Sequence, residues 1–173
     1  MKIIDLSLPI YSGMPVYPGD PECFIEPVFT LEKDNWNMHR LHINTHDGTH
    51  VNTPSHCFKN GKTISDYQVD EFQGDCILFE KLSDISHEKG VLFQEKITQT
   101  ILAKLIQRRP KYIGTSITID ENIERLLLQN DFLVYENLYN LEQLPKTFYF
   151  SGVPLHIKNG DGSPVRAYAI INT

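Results

Sequence analysis

Apolar and polar residues alternate in two early segments of the chain, Met1 to Pro9 and Asn37 to Thr45. A period of two places successive side chains on opposite faces of a β-strand, so both segments are predicted strands. In the second strand Leu41 lies on one face, and His42 lies on the opposite, polar face. Between the two strands, the run PVYPGDPE contains three prolines and a Gly-Asp pair, which predicts a rigid loop.

The middle of the chain combines apolar runs with helical spacing. Three runs are predicted as buried strands: Asp75 to Lys81, Tyr112 to Ile119 and Phe132 to Tyr135. Apolar residues at helical spacing predict helices over Gln94 to Arg108 and Glu121 to Gln129. The last third is again strand-like around the turn Asn159 to Gly162. This order predicts a mixed, sheet-rich α/β domain, and regular βαβ alternation of the Rossmann type is not expected.

Length and charge narrow the class of protein. A chain of 173 residues fits one domain, so we expect a single domain over residues 1–173. The net charge is −6, and no basic run is longer than Arg108-Arg109, so nucleic acid and anionic membranes are poor partners. Asp5 and Pro9 interrupt the apolar start, and no apolar stretch approaches about 18 residues. We therefore predict a cytoplasmic protein.

The densest chemical signal is a cluster of three histidines, His46, His50 and His56. Imidazole has an unperturbed pKa near about 6.5 and donates a lone pair to borderline metals at neutral pH. On a straight strand, positions 46 and 50 would lie about 13 Å apart, from a rise of about 3.3 Å per residue. A tight turn at Asp47-Gly48 would bring the two rings together. The spacing therefore predicts a divalent metal site.

The same segment resembles the signature of the cyclase family of metal-dependent hydrolases, whose best-known members are bacterial kynurenine formamidases. The family motif HxGTHxDxPxH is matched by HDGTHVNTPSH at six of its seven fixed letters. Similar segments, PVYPGDP, YENLYNLEQLP and NGDGSPVRAYAI, extend the resemblance over nearly the whole chain. The resemblance implies a swivelling β/β/α fold, a homodimer or homotetramer, and a divalent metal, with zinc expected first and manganese second.

The resemblance also implies roles for individual residues. His46 and His50 are expected to bind metal together with Glu136, which matches the glutamate of the family's ExLxNLxxLP segment. Tyr17 takes the place of the family's pocket-lining aromatic residue and is expected to bind substrate. His56, just beyond the Thr53-Pro54 bend, is expected to move protons as general base and general acid.

Two departures from the family pattern fall at the centre of this predicted site. Asn52 stands where the family has an aspartate that can bridge two metal ions, and an amide oxygen is a weaker, neutral ligand. Glu124 stands twelve residues before Glu136, where the family commonly has a histidine for the second metal. One carboxylate is lost and another is gained, so the anionic charge is kept but moved. Both residues stay in the predicted ligand set.

These observations support two functions of different classes. The first is hydrolysis by metal-activated water of a small amide, either an N-formyl aryl amide such as N-formylkynurenine or a cyclic amide. The second is a metal-poor family member retained as a binding or structural protein, which Asn52 and Glu124 favour. A Cys57 nucleophile with His56 as its base ranks below both, because adjacent residues on an extended chain point apart.

Overall fold

A computed structural model describes residues 1–171, which contain eleven β-strands and three α-helices. The strands are β1 Lys2–Asp5, β2 Phe24–Phe29, β3 Met38–His42, β4 His50–Asn52, β5 Gln73–Leu78, β6 Gly90–Phe93, β7 Ile113–Thr115, β8 Val134–Glu136, β9 Thr147–Ser151, β10 Gly162–Pro164 and β11 Tyr168–Ile171. The α-helices are α1 Leu31–Asp34, α2 Gln99–Arg108 and α3 Glu121–Gln129. Short 3-10 turns span Pro54–His56, Ile64–Asp66, Val69–Phe72, Leu82–Asp84 and Leu141–Gln143.

Nine of these strands form one mixed sheet in the order β1-β11-β9-β5-β6-β7-β8-β4-β10. Strands β5 to β8 run parallel at its centre, and the strands on both sides pair antiparallel. The remaining two strands, β2 and β3, pair only with each other as a separate hairpin. The predicted mixed, sheet-rich α/β class is confirmed. No helix within residues 1–171 is long and apolar enough to cross a membrane.

The parallel centre contains two successive βαβ units, because α2 connects β6 to β7 and α3 connects β7 to β8. The prediction that such alternation is absent is therefore wrong in this stretch. The predicted strand Tyr112 to Ile119 merged the short strand β7 with the loop before α3, which hid the alternation. Helix α2 also begins at Gln99 and not at Gln94, because Thr98 caps it by accepting a hydrogen bond from the Ile101 backbone N–H.

Buried side chains cover both faces of the central sheet. On one face Val91 and Phe93 of β6 pack with the apolar sides of α2 and α3. On the other face Leu92 packs with aromatic residues that include Tyr135 and Phe150. Successive side chains of β6 point to opposite faces, and each face packs against a hydrophobic core. The strand therefore consists of consecutive apolar residues and shows no alternation of apolar and polar ones.

The register of β4 assembles three distant segments. β4 pairs antiparallel with β8, which places His50 opposite Glu136, and with β10, which places Asn52 opposite Gly162. All three residues of β4 are buried. The sheet therefore brings together the histidine segment, the glutamate of β8 and the turn before β10.

The β2–β3 hairpin lies outside the main sheet and is exposed over much of both faces. All five residues of β3 are exposed, as is Trp36 between the strands, with 62% of its surface accessible. Glu26 accepts hydrogen bonds from Arg40 and His42 across the two strands. The predicted second strand is thus present, but neither of its faces is covered by the residues that the structure describes.

Candidate metal centre

A turn between β3 and β4 brings the first two histidines together. The Asp47 carboxylate accepts a hydrogen bond of 2.7 Å from the Asn44 backbone N–H, and Gly48 adopts a left-handed φ of 61°. The ring centroids of His46 and His50 lie 5.4 Å apart. The chain folds back as predicted, although His46 lies in the turn because β3 already ends at His42.

His50 is held as a neutral imidazole. Its side chain is buried, and Nδ1 donates a hydrogen bond of 2.9 Å to the Gly48 carbonyl. Burial lowers the pKa of His50 to about 4, against the smaller opposing effect of the Gly48 hydrogen bond. At neutral pH the lone pair therefore remains on Nε2, which lies 4.0 Å from Glu136 Oε1, too far for a hydrogen bond.

Asn52 connects both predicted carboxylates to His46. Its Nδ2 donates to Glu124 Oε1 at 2.8 Å and to Glu136 Oε1 at 2.7 Å. Its Oδ1 is 2.8 Å from His46 Nδ1, and an amide oxygen only accepts, so this histidine nitrogen donates the hydrogen bond. Burial, followed by the Glu124 charge, raises the pKa of Glu136 to about 7 against the opposing effect of the Asn52 hydrogen bond.

Asp161 is a site residue that the sequence analysis did not identify. Its Oδ2 is 2.9 Å from His46 Nε2 and 3.5 Å from His56 Nδ1, and Thr45 donates to its Oδ1 at 3.0 Å. Burial raises its pKa, but the hydrogen bonds from His46 and Thr45 outweigh this effect and leave the pKa below its ordinary value. Only its place in the turn before β10 could have indicated a role, because its partner lies 115 residues away in sequence.

Gly162 provides the space that His46 occupies. A Cβ atom at this position would lie 2.6 Å from His46 Cε1, closer than such atoms approach. Because Gly162 also pairs with Asn52 across β10 and β4, a larger residue would have to displace either the ring or the strand. The glycine therefore fixes the orientation of His46 between Asn52 and Asp161.

The two other predicted site residues lie at the border of this network. His56, in the 3-10 turn Pro54–His56, contacts the His46 ring at a centroid distance of 3.9 Å with the two planes tilted by 44°, and it is partly exposed. Tyr17 is largely exposed, and its hydroxyl donates to Glu121 Oε1 at 2.7 Å, one turn of α3 before Glu124. The structure thus joins six of the seven predicted residues in one network and connects Tyr17 to it through α3.

This set of donors fits a divalent cation. The unprotonated His50 Nε2 lies 4.0 Å from Glu136 Oε1, which leaves both atoms available to a shared ion. On the other side of His46, one donor atom each from His46, His56 and Asp161 lies within 4.8 Å of the others. Neutral imidazole and carboxylate are ligands of zinc and manganese, and a cation would offset the repulsion between the clustered carboxylates.

The nine-stranded sheet and the converging histidines define a cyclase-type α/β domain. The chain belongs to the cyclase family: the sequence model of that family, described as a putative cyclase, matches residues 4–125. An uncharacterized protein from Methanocaldococcus jannaschii is 30% identical over 193 residues, covering 99% of this chain and 100% of that protein. The resemblance predicted from the histidine motif is therefore confirmed.

Relatives with named activities match over similar lengths of the chain. A kynurenine formamidase from Erythrobacter litoralis is 25% identical over 200 residues, covering 96% of this chain and 92% of that protein. The structure of isatin hydrolase A from Labrenzia aggregata matches with a TM-score of 0.83 at 20% identity, over 99% of this chain and 94% of that one. The structure of a potential metal-dependent hydrolase with cyclase activity matches with a TM-score of 0.78 at 22% identity. The match covers 97% of this chain and 96% of that one. These structural similarities establish a shared fold.

Repulsion between Glu124 and Glu136 should lower the stability of the metal-free protein. Because the pKa of Glu136 is raised in the folded protein, ionisation of this group lowers the free energy of unfolding. This loss of stability is absent below pH 4.5, the ordinary pKa of a glutamate, and complete above about pH 7. Glu124→Gln removes a neighbouring negative charge. We expect the variant to be more stable than the parent by about 1 kcal/mol at pH 8, the scale of one pKa unit.

The gain should disappear at pH 4.5, where Glu136 is protonated in both proteins. Urea unfolding in the presence of EDTA at the two pH values measures the difference. Glu142→Gln, which removes an exposed charge outside the site, is the matched control and should change stability little at either pH. An equal gain at both pH values would show that repulsion of Glu136 is not the cause.

Proposed function

We propose that this chain is a metal-dependent hydrolase of a small amide-type substrate, either an N-formyl aryl amide such as N-formylkynurenine or a cyclic amide. The observation that carries the proposal is the neutral, buried His50 imidazole, whose lone pair faces the Glu136 carboxylate at 4.0 Å. Relatives named kynurenine formamidase and isatin hydrolase support the amide class of substrate.

The metal would be held by His46, His50 and Glu136, with Glu124 and the Asn52 oxygen as further ligands. When bound, zinc or manganese would polarise the amide carbonyl and lower the pKa of water, and zinc is the first expectation. His50 requires no change of protonation for this role, because burial already keeps it neutral. Both ring nitrogens of His46 donate hydrogen bonds, to Asn52 and to Asp161, so ligation would require His46 to give up one of these bonds together with its proton.

His56 would act on protons. It is partly exposed, so solvent and substrate can reach its ring, and its Nδ1 lies beside the Asp161 carboxylate. A neighbouring carboxylate orients an imidazole and stabilises its protonated form, which suits a general base that later protonates the leaving nitrogen. Tyr17, held to α3 by Glu121, would provide an aromatic surface for the substrate.

The alternative, a metal-poor binding or structural protein, is favoured by one observation. The Asn52 amide satisfies Glu124, Glu136 and His46 with hydrogen bonds of 2.7 to 2.8 Å without any ion. Metal analysis of the purified protein separates the two functions. Absence of zinc, manganese, iron and cobalt from a metal-replete preparation would reject the hydrolase and leave the alternative.

Alanine variants of the three histidines test the assigned roles. We expect His46→Ala and His50→Ala to lose both metal and activity, because each removes a ligand. His56→Ala should lose at least about a hundredfold in kcat, the usual contribution of a general acid or base, with only a modest loss of metal. The measurements are metal content by mass spectrometry and hydrolysis of a formyl aryl amide. His87→Ala is the control, since that exposed ring lies outside the site and donates a hydrogen bond to the Arg109 carbonyl. Equal metal loss in all three variants would make His56 a ligand.

Asn52 should limit the number of metal ions. An amide presents one neutral oxygen where a carboxylate presents two anionic ones, so we expect about one tightly held ion per chain. Asn52→Asp should raise the occupancy toward two, since Glu124 and Glu136 already lie within hydrogen-bonding distance of position 52. The same variant should be less stable in EDTA, where it gathers three carboxylates. Two tightly bound ions in the unmodified protein, found by anomalous diffraction and by solution stoichiometry, would contradict this role of Asn52.

We also propose that the chain assembles as a homodimer or homotetramer through the β2–β3 hairpin. A two-stranded sheet alone is marginally stable in water, and Trp36 and Leu41 are more than half exposed on this one. Light scattering should find an oligomer, and Trp36→Ser with Leu41→Ser should shift it toward monomer. The control pair Val69→Ser with Leu155→Ser replaces exposed apolar residues outside the hairpin. A monomeric parent, or an unchanged mass in the hairpin variant, would contradict the proposal.

A further inference from the structure

Asp161, His46 and His56 form a group of candidate metal ligands, the Asp161 group, to which His46 contributes the nitrogen that does not contact Asn52. Asp161 Oδ2 lies 2.9 Å from His46 Nε2 and 3.5 Å from His56 Nδ1, and the three atoms all lie within 4.8 Å of one another. Zinc bonds of about 2.0 to 2.1 Å in a tetrahedral site place the ligand atoms about 3.3 Å apart. The three atoms are therefore close to the spacing that a zinc ion requires.

The Asp161 group differs in exposure from the metal site proposed above. That first site is centred on His50 Nε2 and Glu136 Oε1, and the two side chains are only 6% and 15% exposed. The side chains of His46, His56 and Asp161 are 20%, 33% and 41% exposed. Solvent reaches the Asp161 group directly, so an ion bound there would exchange with the medium more readily than an ion bound at His50.

The Asp161 group can bind an ion while the hydrogen bonds of Asn52 stay in place. His46 would release its Nε2 proton to solvent and keep the hydrogen bond from Nδ1 to Asn52 Oδ1. His56 Nδ1 is too far from Asp161 for a good hydrogen bond, so this nitrogen is not committed to the carboxylate. Thr45 donates to Asp161 Oδ1, which leaves Oδ2 beside the two rings.

We propose that the Asp161 group binds a second divalent cation, with zinc preferred, and that hydrolysis is inhibited when this second site is filled. Two imidazoles and one carboxylate suit zinc, whereas magnesium prefers oxygen ligands and retains its water. A neutral imidazole has one nitrogen lone pair. With that lone pair on the ion, His56 can no longer accept a proton, and His46 is withdrawn from the first site. The inhibition rests on the hydrolase function, whereas the second site does not.

Zinc titration of the dialysed protein, followed by calorimetry, tests the second site. A second zinc ion should bind more weakly than the first, because the Asp161 group is partly exposed and His46 must release a proton. Dialysis should therefore remove it and leave about one tightly held ion, and magnesium should not replace it.

A matched pair of variants assigns the second zinc to Asp161. Asp161→Asn removes the anionic ligand but keeps an oxygen that accepts hydrogen bonds from His46 and Thr45, so the Kd of the second zinc should rise at least about tenfold. Asp70→Asn changes an exposed carboxylate of the 3-10 turn Val69–Phe72 and should leave that Kd unchanged.

An anomalous difference map from crystals of the unmodified protein soaked in excess zinc does not depend on the folding of any variant. It should place the second ion about 2.0 to 2.2 Å from His46 Nε2, His56 Nδ1 and Asp161 Oδ2. Hydrolysis of a formyl aryl amide should fall as this site fills. Asp161→Asn, measured against its own activity without added zinc, should need at least about tenfold more zinc than Asp70→Asn for the same fractional loss.

The outcomes separate the second site from the hydrolase function. A second zinc that is absent at saturation, that lies elsewhere in the map, or that binds equally to Asp161→Asn and Asp70→Asn overturns the site. Hydrolysis that persists with the site filled overturns the inhibition. If no amide is hydrolysed but the second ion contacts the Asp161 group, the hydrolase function fails and the second site stands.

Discussion

The pairing of the three-residue strand β4 on both of its sides is the constraint on which the rest of the site depends. Backbone hydrogen bonds to β8 and β10 fix His50 opposite Glu136 and Asn52 opposite Gly162. A shift of one residue would turn every side chain of β4 to the other face of the sheet. Because Val51 belongs to the hydrophobic core, that shift would also remove it from the core and place a polar residue there, so packing enforces the alignment of the ligands.

The Asn52 amide shows how a neutral side chain replaces a charged one in this environment. Two carboxylates in a partly buried site repel each other, and the two hydrogens of the Asn52 amide nitrogen, one to each carboxylate, offset part of that repulsion. The compensation is incomplete, as the raised pKa of Glu136 indicates. The network therefore combines a satisfied hydrogen-bond pattern with an excess of negative charge, which is the arrangement expected of a site that attracts cations.

Local sequence signals predicted much of this arrangement, and long-range contacts explain the rest. The histidine spacing and Gly48 predicted the turn that joins His46 to His50, because a turn is a local property. Asp161 lies in the family-like segment NGDGSPVRAYAI, but no local signal indicates its contact with His46, which exists only after β10 pairs with β4. The βαβ alternation was missed for a related reason: β7 has three residues, too few for a period to appear. Helix α3, by contrast, spans the predicted residues, because its cap and apolar stripe are both local.

Contact between Asn52 and Glu124 restricts the order in which these two positions can change during evolution. The side chains meet at 2.8 Å, so the charge state of one determines which residue the other tolerates. An aspartate at 52 beside Glu124 concentrates like charge, whereas a histidine at 124 beside Asn52 removes a carboxylate from the ligand set. Without a bound ion each single replacement is therefore unfavourable, and the two positions should behave as an epistatic unit.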